Sequence, residues 1–276
     1  MSLIESLIYG FVSGLAEIFP VSAQANQMVM RYLMGIPNKE PIRDLLVHIA
    51  ILISVFIACR GMFAKIRREQ VLAYRMRRNP SQVRALKGVY DMRFVKSAAP
   101  SMIIGLFLGF FLPDFFERRP LFSLILLING VITIIPIYLH QGNRDARSLS
   151  GIDSFLIGIA AALSAIPGIS RNGAIMAATV IREADKHNAV NWSFMLAVPA
   201  MVVMIFLDFI AIFTVGIGNV VFLTFIGYLL SACAAFVGTY LASSIIKVVI
   251  QRSDYTAFAY YDFGLALFSF IMYLIT

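Results

Sequence analysis

Charged side chains are scarce in this sequence. Asp, Glu, Lys and Arg together make up 14% of the 276 residues, whereas soluble proteins have about 25%. Hydrophobic residues account for 60%, and the mean hydropathy is +0.83. This shortage of polar surface excludes a soluble globular fold, and the composition predicts an integral membrane protein.

Cysteine and the motifs of soluble enzymes are lacking too. The two cysteines, Cys59 and Cys233, lie inside apolar runs, where cysteine acts as a small hydrophobic residue, so we expect no disulfide framework. No residue pair has the spacing of zinc ligands, and neither a Walker loop nor a GxSxG motif occurs. A basic segment followed by a small-residue cleavage site is also missing, so we expect the first apolar run to be a membrane element rather than a signal peptide.

Six apolar runs have lengths close to the roughly 20 residues that cross a bilayer. They cover residues 45–59, 97–113, 121–139, 194–216, 219–246 and 257–275. Two further runs, 3–33 and 152–181, are interrupted by Pro20 and by Pro167-Gly168, which leaves arms of about 13 to 17 residues that reach only part way across. We therefore predict that both are re-entrant helical hairpins, with their broken backbone buried in protein.

The basic residues indicate how these elements are oriented. Eleven of the 23 Lys and Arg residues lie between Arg60 and Lys96, as expected of a cytoplasmic loop near anionic lipid, so the net charge of +8 does not indicate nucleic acid. If both hairpins are re-entrant, 17 basic residues lie inside and four lie outside. If one arm of each hairpin spans the bilayer instead, 13 lie inside and about nine lie outside. The positive-inside rule favours re-entry, with both termini outside and the hairpin tips meeting near mid-membrane.

The two hairpins also resemble each other. Residues 15–22 (LAEIFPVS) and 163–170 (LSAIPGIS) share Leu, Ile and Ser in register, and three spans follow each hairpin. Together with entry from opposite sides, this predicts an inverted-topology repeat of about 1–139 and 152–276 within one membrane domain, with a binding site where the halves meet. The predicted fold class is an all-α integral membrane protein with about six transmembrane helices and two re-entrant helical hairpins.

One charged residue lies near the tip of each hairpin: Glu17 in the first and Arg171 in the second. An ionisable group at membrane depth is costly and indicates a functional site, although the two could also simply pair and hold the hairpins together. The segment Ser170-Arg171-Asn172-Gly173 opens a helical arm after the Pro-Gly break, so free backbone N–H groups and a guanidinium group would converge on an anion. Three polar residues follow the break of the first hairpin in the same way: Ser22, Gln24 and Asn26.

Three His or Asp residues fall inside the six apolar runs. His48 would reach the site from the run that begins at Leu45, or would instead hydrogen-bond a neighbouring backbone carbonyl. Asp208 and Asp262 are expected to be partners between helices rather than catalytic groups.

The chain resembles the undecaprenyl-diphosphate phosphatase family, also called the bacitracin-resistance family, over most of its length. The resemblance is carried by residues 14–22 (GLAEIFPVS) and 167–174 (PGISRNGA), with support from 45–48 (LLVH) and 193–199 (SFMLAVP). Members of this family dephosphorylate the C55 lipid carrier of cell-wall synthesis. Their fold of six spans and two re-entrant hairpins agrees with the arrangement inferred from charge.

The resemblance implies a site and its partners. Catalytic roles would fall to Glu17, Ser22, His48, Ser170 and Arg171, and substrate binding to Asn26, Gly168, Asn172 and Gly173. Glu17 would also hold Mg²⁺ or Ca²⁺, with low affinity because it is a single carboxylate. The expected partners are a polyprenyl diphosphate lipid, the plasma-membrane bilayer and a second copy of the chain, with no nucleic acid. The site would face the exterior or lie at mid-membrane.

Several motif positions of the family carry other residues here: Ser13, Ala23, Asn26, Asn172 and Ile175. Asn26 stands where the family has histidine, and an amide cannot exchange a proton near neutral pH. Phosphate binding is therefore better supported than phosphate cleavage, and His48 is the nearby candidate for proton transfer. Two alternatives stay open: a polyprenyl-phosphate flippase or transporter, whose halves would supply two alternating states, and a paralogue that binds a lipid phosphate without hydrolysing it.

Overall fold

The fold is a bundle of α-helices. The structure, a computed structural model, describes residues 1–36, 40–78, 90–111, 119–140, 142–146, 148–214, 216, 222–251 and 255–275. The helices in these ranges are α1 (Leu3–Ile18), α2 (Ala23–Met34), α3 (Pro41–Ala58), α4 (Arg60–Arg78), α5 (Tyr90–Phe110), α6 (Arg119–Tyr138), α7 (Gly151–Ala162), α8 (Arg171–Ile181), α9 (Lys186–Thr214), α10 (Phe222–Gln251) and α11 (Thr256–Ile275). The described ranges contain no β-strand, only an isolated bridge between Arg144 and Ala184.

Six helices are long and apolar enough to cross a membrane: α3, α5, α6, α9, α10 and α11. The six predicted spans and the all-α membrane class are therefore confirmed. Parts of three predicted runs lie outside the described residues: 112–113 of the run 97–113, 215 of the run 194–216, and 219–221 of the run 219–246.

The segment 60–96 differs from the predicted loop, because it contains α4 and the first turns of α5. These two helices are joined by an ion pair between Lys65 and Asp91 and by the Met92 N–H, which donates to the Glu69 carboxylate at 3.0 Å. Residues 79–89, between the helices, lie outside the described residues. The many basic residues in this segment led to the prediction of a loop, but Arg and Lys are good helix formers when their charged groups reach water.

The two interrupted runs form four short helices. α1 has 16 residues, α2 and α7 have 12 each, and α8 has 11, so each is shorter than the roughly 20 residues that a full crossing requires. The chain is extended at Phe19 in the first break and at Ile166 in the second, which continues from a short 3-10 helix, Leu163–Ala165. These lengths suit the predicted hairpins, and re-entry into the bilayer stays a prediction.

The hairpins pack on helices of the opposite half of the chain. α1 lies against α10, and α7 lies against α5. Glycine at the contact allows each pair of helices to pack closely. A Cβ on Gly10 would lie 2.0 Å from the carbonyl oxygen of Ser231, and a Cβ on Gly158 would lie 2.1 Å from the carbonyl oxygen of Ala98. These two symmetrical contacts between the halves agree with an inverted repeat, and the repeat itself stays a prediction.

We predict that Gly10→Ala destabilises the protein whereas Gly264→Ala, in α11, does not. The methyl group at position 10 would push the α1 and α10 backbones apart, at a cost of about 1–3 kcal/mol. At position 264 an added Cβ meets nothing within 4 Å, so alanine should leave stability unchanged or raise it by about 0.5–1 kcal/mol through helix propensity. Thermal unfolding of both variants in detergent measures the difference, and equal melting temperatures would contradict the proposed close packing.

Candidate functional site

The tips of the two hairpins meet through an ion pair. Arg171, the first residue of α8, places Nη1 2.7 Å from Oε1 of Glu17, in the last turn of α1. The side chains are only 7% and 11% exposed. Opposite charges attract strongly in such surroundings, because the effective dielectric constant is far below that of water. Glu17 and Arg171 therefore do pair and join the two hairpins, which was the structural alternative considered from the sequence.

Side chains of α8 also cap the end of α1. Asn172 donates from Nδ2 to the backbone oxygens of Glu17 at 2.9 Å and Ile18 at 2.8 Å, and Arg171 Nη2 lies 3.4 Å from the Glu17 oxygen. The last carbonyls of a helix have no partner within it, and they carry partial negative charge. α1 has no basic residue in its own last turn, so the second hairpin supplies both the missing donors and the positive charge.

Two serines occupy equivalent positions in the hairpins. The Ser22 hydroxyl accepts the Ala25 N–H at 3.2 Å and caps the start of α2, and the Ser170 hydroxyl accepts the Gly173 N–H at 3.1 Å and caps α8. An N-cap serine satisfies one of the free N–H groups of the first turn. Both serines are buried, but only Ser170 reaches the surface of the neighbouring cavity.

This cavity, which we call the tip cavity, has a volume of about 550 Å³ including its open mouth. The polar side chains on its wall are Glu17, Gln24, Gln27, His48, Ser164, Ser170, Arg171 and Asn172. Leu106, Ala200, Met201 and Met204 supply an apolar side. The tip cavity therefore combines a charged end with a wall suited to hydrocarbon.

Several polar atoms of this wall have no hydrogen-bond partner among the described residues. They are Arg171 Nε, Asn172 Oδ1 and Gln24 Oε1, all of them buried. Buried polar atoms in proteins are nearly always paired, so an unpaired group next to a cavity suggests a bound ligand or water. A guanidinium N–H suits a phosphate oxygen, whereas an amide oxygen suits a cation or a hydroxyl donor.

His48 reaches the tip cavity and is paired with an aspartate. Its Nδ1 lies 2.5 Å from Oδ2 of Asp208, which brings α3 and α9 together. Of the two roles considered for His48, a place at the site is the one that the structure provides, and its partner is a carboxylate rather than a backbone carbonyl. Asp208 is a partner between helices as expected, but sequence spacing gave no sign that its partner would be His48, 160 residues away.

Four other residues expected at the site lie behind the cavity wall. Asn26 accepts a hydrogen bond from the Tyr261 hydroxyl and donates to the Ser22 carbonyl at 2.8 Å. Gly168 has a φ of +107°, which favours glycine, and a Cβ on Gly173 would lie 3.4 Å from the Pro20 oxygen. The structure thus gives Ser22, Asn26, Gly168 and Gly173 roles in shaping the tips, while Glu17, His48, Ser170, Arg171 and Asn172 share the cavity.

A polar platform on α6 supports both tips from behind, and sequence reasoning missed it. Asn129 accepts the Ser170 N–H at 2.7 Å and donates to Asp262 of α11, also at 2.7 Å. Thr133 donates to the Pro20 carbonyl at 3.1 Å. Asp262 is therefore an interhelical partner, as expected. Asn129 and Thr133, one turn apart in an apolar helix, were the signal that could have found the platform.

The wall offers limited ligands for a metal ion. Within the part of the chain that the structure describes, no three His, Cys, Asp or Glu residues are grouped closely enough to hold one. Glu17 and the unpaired Gln24 oxygen are hard oxygen donors on the cavity. Mg²⁺ is commonly bound by one or two carboxylates together with substrate phosphates, so these residues fit a divalent cation that arrives with a diphosphate.

We predict that Glu17→Gln lowers stability more than the double change Glu17→Gln with Arg171→Gln. The single change strands a buried guanidinium group, which costs about 3–5 kcal/mol, whereas removing both charges leaves no uncompensated ion. Thermal unfolding in detergent compares Glu17→Gln, Arg171→Gln and the double variant with the unaltered protein. A double variant as unstable as the sum of the single variants would show that the pair does not act as a unit.

Comparison with known proteins gives a match over nearly the whole chain. The profile of the family described as bacitracin resistance protein BacA matches residues 6–268. An undecaprenyl-diphosphatase of Carboxydothermus hydrogenoformans is 26% identical over 265 residues, covering 95% of this chain and 94% of the relative. Undecaprenyl-diphosphatase 1 of Shouchella clausii is 28% identical over 98% of this chain and 96% of its own length. An undecaprenyl-diphosphatase of Desulfosudis oleivorans is 29% identical, with coverage of 95% and 96%.

Proposed function

Because the chain belongs to the bacitracin resistance protein BacA family, we propose that it is a membrane phosphatase that hydrolyses undecaprenyl diphosphate to the monophosphate. It is a multi-pass protein of the cell membrane, and it recycles the lipid carrier of cell-wall synthesis. Relatives named undecaprenyl-diphosphatase align over almost their full length. The observation that carries the proposal is the tip cavity, where Ser170, Arg171 and Asn172 begin a helix beside an apolar wall.

The start of α8 binds the diphosphate. Helix N-termini attract anions because their first N–H groups have no carbonyl partner within the helix and carry partial positive charge. Arg171 adds a full charge, and its Nε remains unpaired while Nη1 contacts Glu17. Ser170 offers its hydroxyl hydrogen, since its oxygen already accepts the Gly173 N–H. The first isoprenyl unit lies along Leu106, Met201 and Met204.

The proposal includes a divalent cation, Mg²⁺ or Ca²⁺. Glu17 and Gln24 would hold it from the protein, and the diphosphate would supply further oxygen ligands. When bound, the cation neutralises charge on the phosphate oxygens and stabilises the leaving phosphate as a Lewis acid. Glu17 also keeps Arg171 in place through the ion pair. The same carboxylate therefore positions both groups that contact the diphosphate, the cation and Arg171.

Hydrolysis itself requires positioning more than covalent chemistry by the protein. In phosphoryl transfer the attacking and leaving oxygens are in line, and charge spreads over the three equatorial oxygens. Arg171 and the α8 N-terminus stabilise that charge. Among the residues that the structure describes, His48 is the imidazole on the cavity wall, whereas Asn26 is engaged by Tyr261.

A polyprenyl-phosphate transporter is the second candidate. α1 packs on α10 and α7 packs on α5, so each half of the chain contacts the other in the same way. This symmetry favours a transporter, because inverted repeats in transporters supply two alternating states around one site. Release of inorganic phosphate separates the candidates, since transport leaves the diphosphate intact.

We expect purified protein in detergent to release phosphate from undecaprenyl diphosphate, faster with Mg²⁺ than with a chelator. Arg171→Lys should weaken lipid-diphosphate binding by about 1–3 kcal/mol, because lysine keeps the charge but loses the guanidinium fork. Its melting temperature should change little.

Arg182→Lys is the matched control for this change. Arg182 pairs with Asp153 at the start of α7 and does not belong to the cavity wall, so its replacement should leave binding intact. Unchanged binding in Arg171→Lys would remove the phosphate clamp from the proposal. A wild-type protein that binds the diphosphate but releases no phosphate would favour the transporter instead.

A further inference from the structure

The contact between His48 and Asp208 is not needed for holding phosphate. His48 lies on the wall of the tip cavity with its Nδ1 2.5 Å from Asp208 Oδ2. The side chains are 8% and 15% exposed. An ionisable pair at membrane depth is expensive to maintain and indicates a function.

Packing holds this pair in one geometry. On α3, His48 lies between Val47 and Ile51, which are each 1% exposed. On α9, Asp208 follows Met201 and Met204 by seven and four residues, so all three lie on one face of the helix. Because both methionines line the cavity, that face directs Asp208 toward the site, and the carboxylate reaches the histidine from behind.

The hydrogen bond decides which ring nitrogen is available. With Nδ1 bonded to the carboxylate, Nε2 is the nitrogen left for a ligand in the cavity, and the carboxylate stabilises the imidazolium ion that forms when Nε2 takes a proton. The same logic operates in hydrolases whose histidine is oriented by an aspartate.

We propose that His48 and Asp208 form the proton-transfer pair of this site: His48 Nε2 accepts a proton from the attacking water, and Asp208 is the residue that positions and stabilises the ring. The inference rests on the proposed phosphatase function. The pair also supplies proton transfer, which Asn26 cannot provide because an amide does not exchange protons near neutral pH. The Asn26 side chain is in addition already hydrogen-bonded to the Tyr261 hydroxyl and to the Ser22 carbonyl.

The step balances as follows. The water oxygen forms a bond to the terminal phosphorus while its proton moves to His48 Nε2. The bond between that phosphorus and the bridging oxygen breaks, and its electron pair leaves with the polyprenyl monophosphate. Inorganic phosphate is the second product, and the proton passes from Nε2 to solvent through the open mouth of the cavity.

The kinetic test compares His48→Gln, Asp208→Asn and the double variant in phosphate release from undecaprenyl diphosphate. We expect kcat to fall by about 10²–10⁴-fold in His48→Gln, the scale of general base catalysis, and by at least about tenfold in Asp208→Asn. KM should stay within about threefold, because neither residue holds the phosphate. The kcat of the double variant should lie within about threefold of that of His48→Gln, since the effects of replacing residues that act as a unit are not additive.

Ser54→Ala is the matched control. Ser54, also on α3, donates to the Phe236 carbonyl of α10 at 2.8 Å and is not part of the cavity wall. Its replacement removes one polar contact between helices, whereas Asp208→Asn removes the charge from another, and Ser54→Ala should leave kcat unchanged. A similar fall in kcat for Ser54→Ala would assign the effect of Asp208 to packing and overturn the positioning role.

A spectroscopic measurement tests the pair without using activity. The chain has three histidines, so a His140→Gln and His187→Gln background leaves His48 as the one ¹⁵N-labelled imidazole. We expect a hydrogen-bonded, protonated Nδ1 in this background and a changed ¹⁵N spectrum after Asp208→Asn. An identical spectrum would overturn the pairing.

The outcomes separate this inference from the function on which it rests. If the wild-type protein releases no phosphate, the phosphatase proposal fails, while the ¹⁵N spectrum still decides whether the pair exists. If the wild type is active and His48→Gln keeps kcat within threefold, the proton-transfer role is overturned and the phosphatase stands.

Discussion

The buried ion pair between Glu17 and Arg171 is the contact on which the site depends. Each charge lies at the end of a short helix, where neither lipid nor its own hairpin can neutralise it. Removing a charge from water costs several kcal/mol unless a partner and further hydrogen bonds are close. The two charges are therefore stable in these buried positions only when the tips are together, and the cavity at the point where they meet has polar atoms on its wall without a partner among the described residues.

The surrounding helices hold this meeting point from two sides. Behind the tips, Asn129 and Thr133 of α6 bind the backbone of both breaks, and Asp262 of α11 fixes Asn129. In front, α3 and α9 contribute His48 and Asp208. The geometry of the cavity is thus set by rigid helices rather than by loops, which is the condition for precise placement of a reacting group.

Much of the fold follows from the sequence, because apolar runs of sufficient length have few alternatives in a membrane. Glu17 and Arg171 were found for the same reason, as isolated charges in such runs. Lateral contacts were harder to predict. On α2, for example, Gln24 and Gln27 face the cavity while Asn26 faces α11. Helical spacing puts Gln24 and Gln27 on one face and Asn26 on another, but it does not say which face meets the site. The partnership of His48 with Asp208 depends in the same way on how α3 and α9 pack.

The close packing of α1 on α10 has a consequence for how the protein is made. The Ser231 hydroxyl donates to the Ser6 carbonyl, 225 residues earlier in the chain, and Arg171 follows Glu17 by more than half the length of the protein. At roughly 5–20 residues per second, synthesis of that interval takes about 10 to 45 s. During this time the first hairpin has neither its packing surface nor its counter-ion. The contacts of the first hairpin with α10 and with Arg171 therefore form only after the second half of the chain has been made.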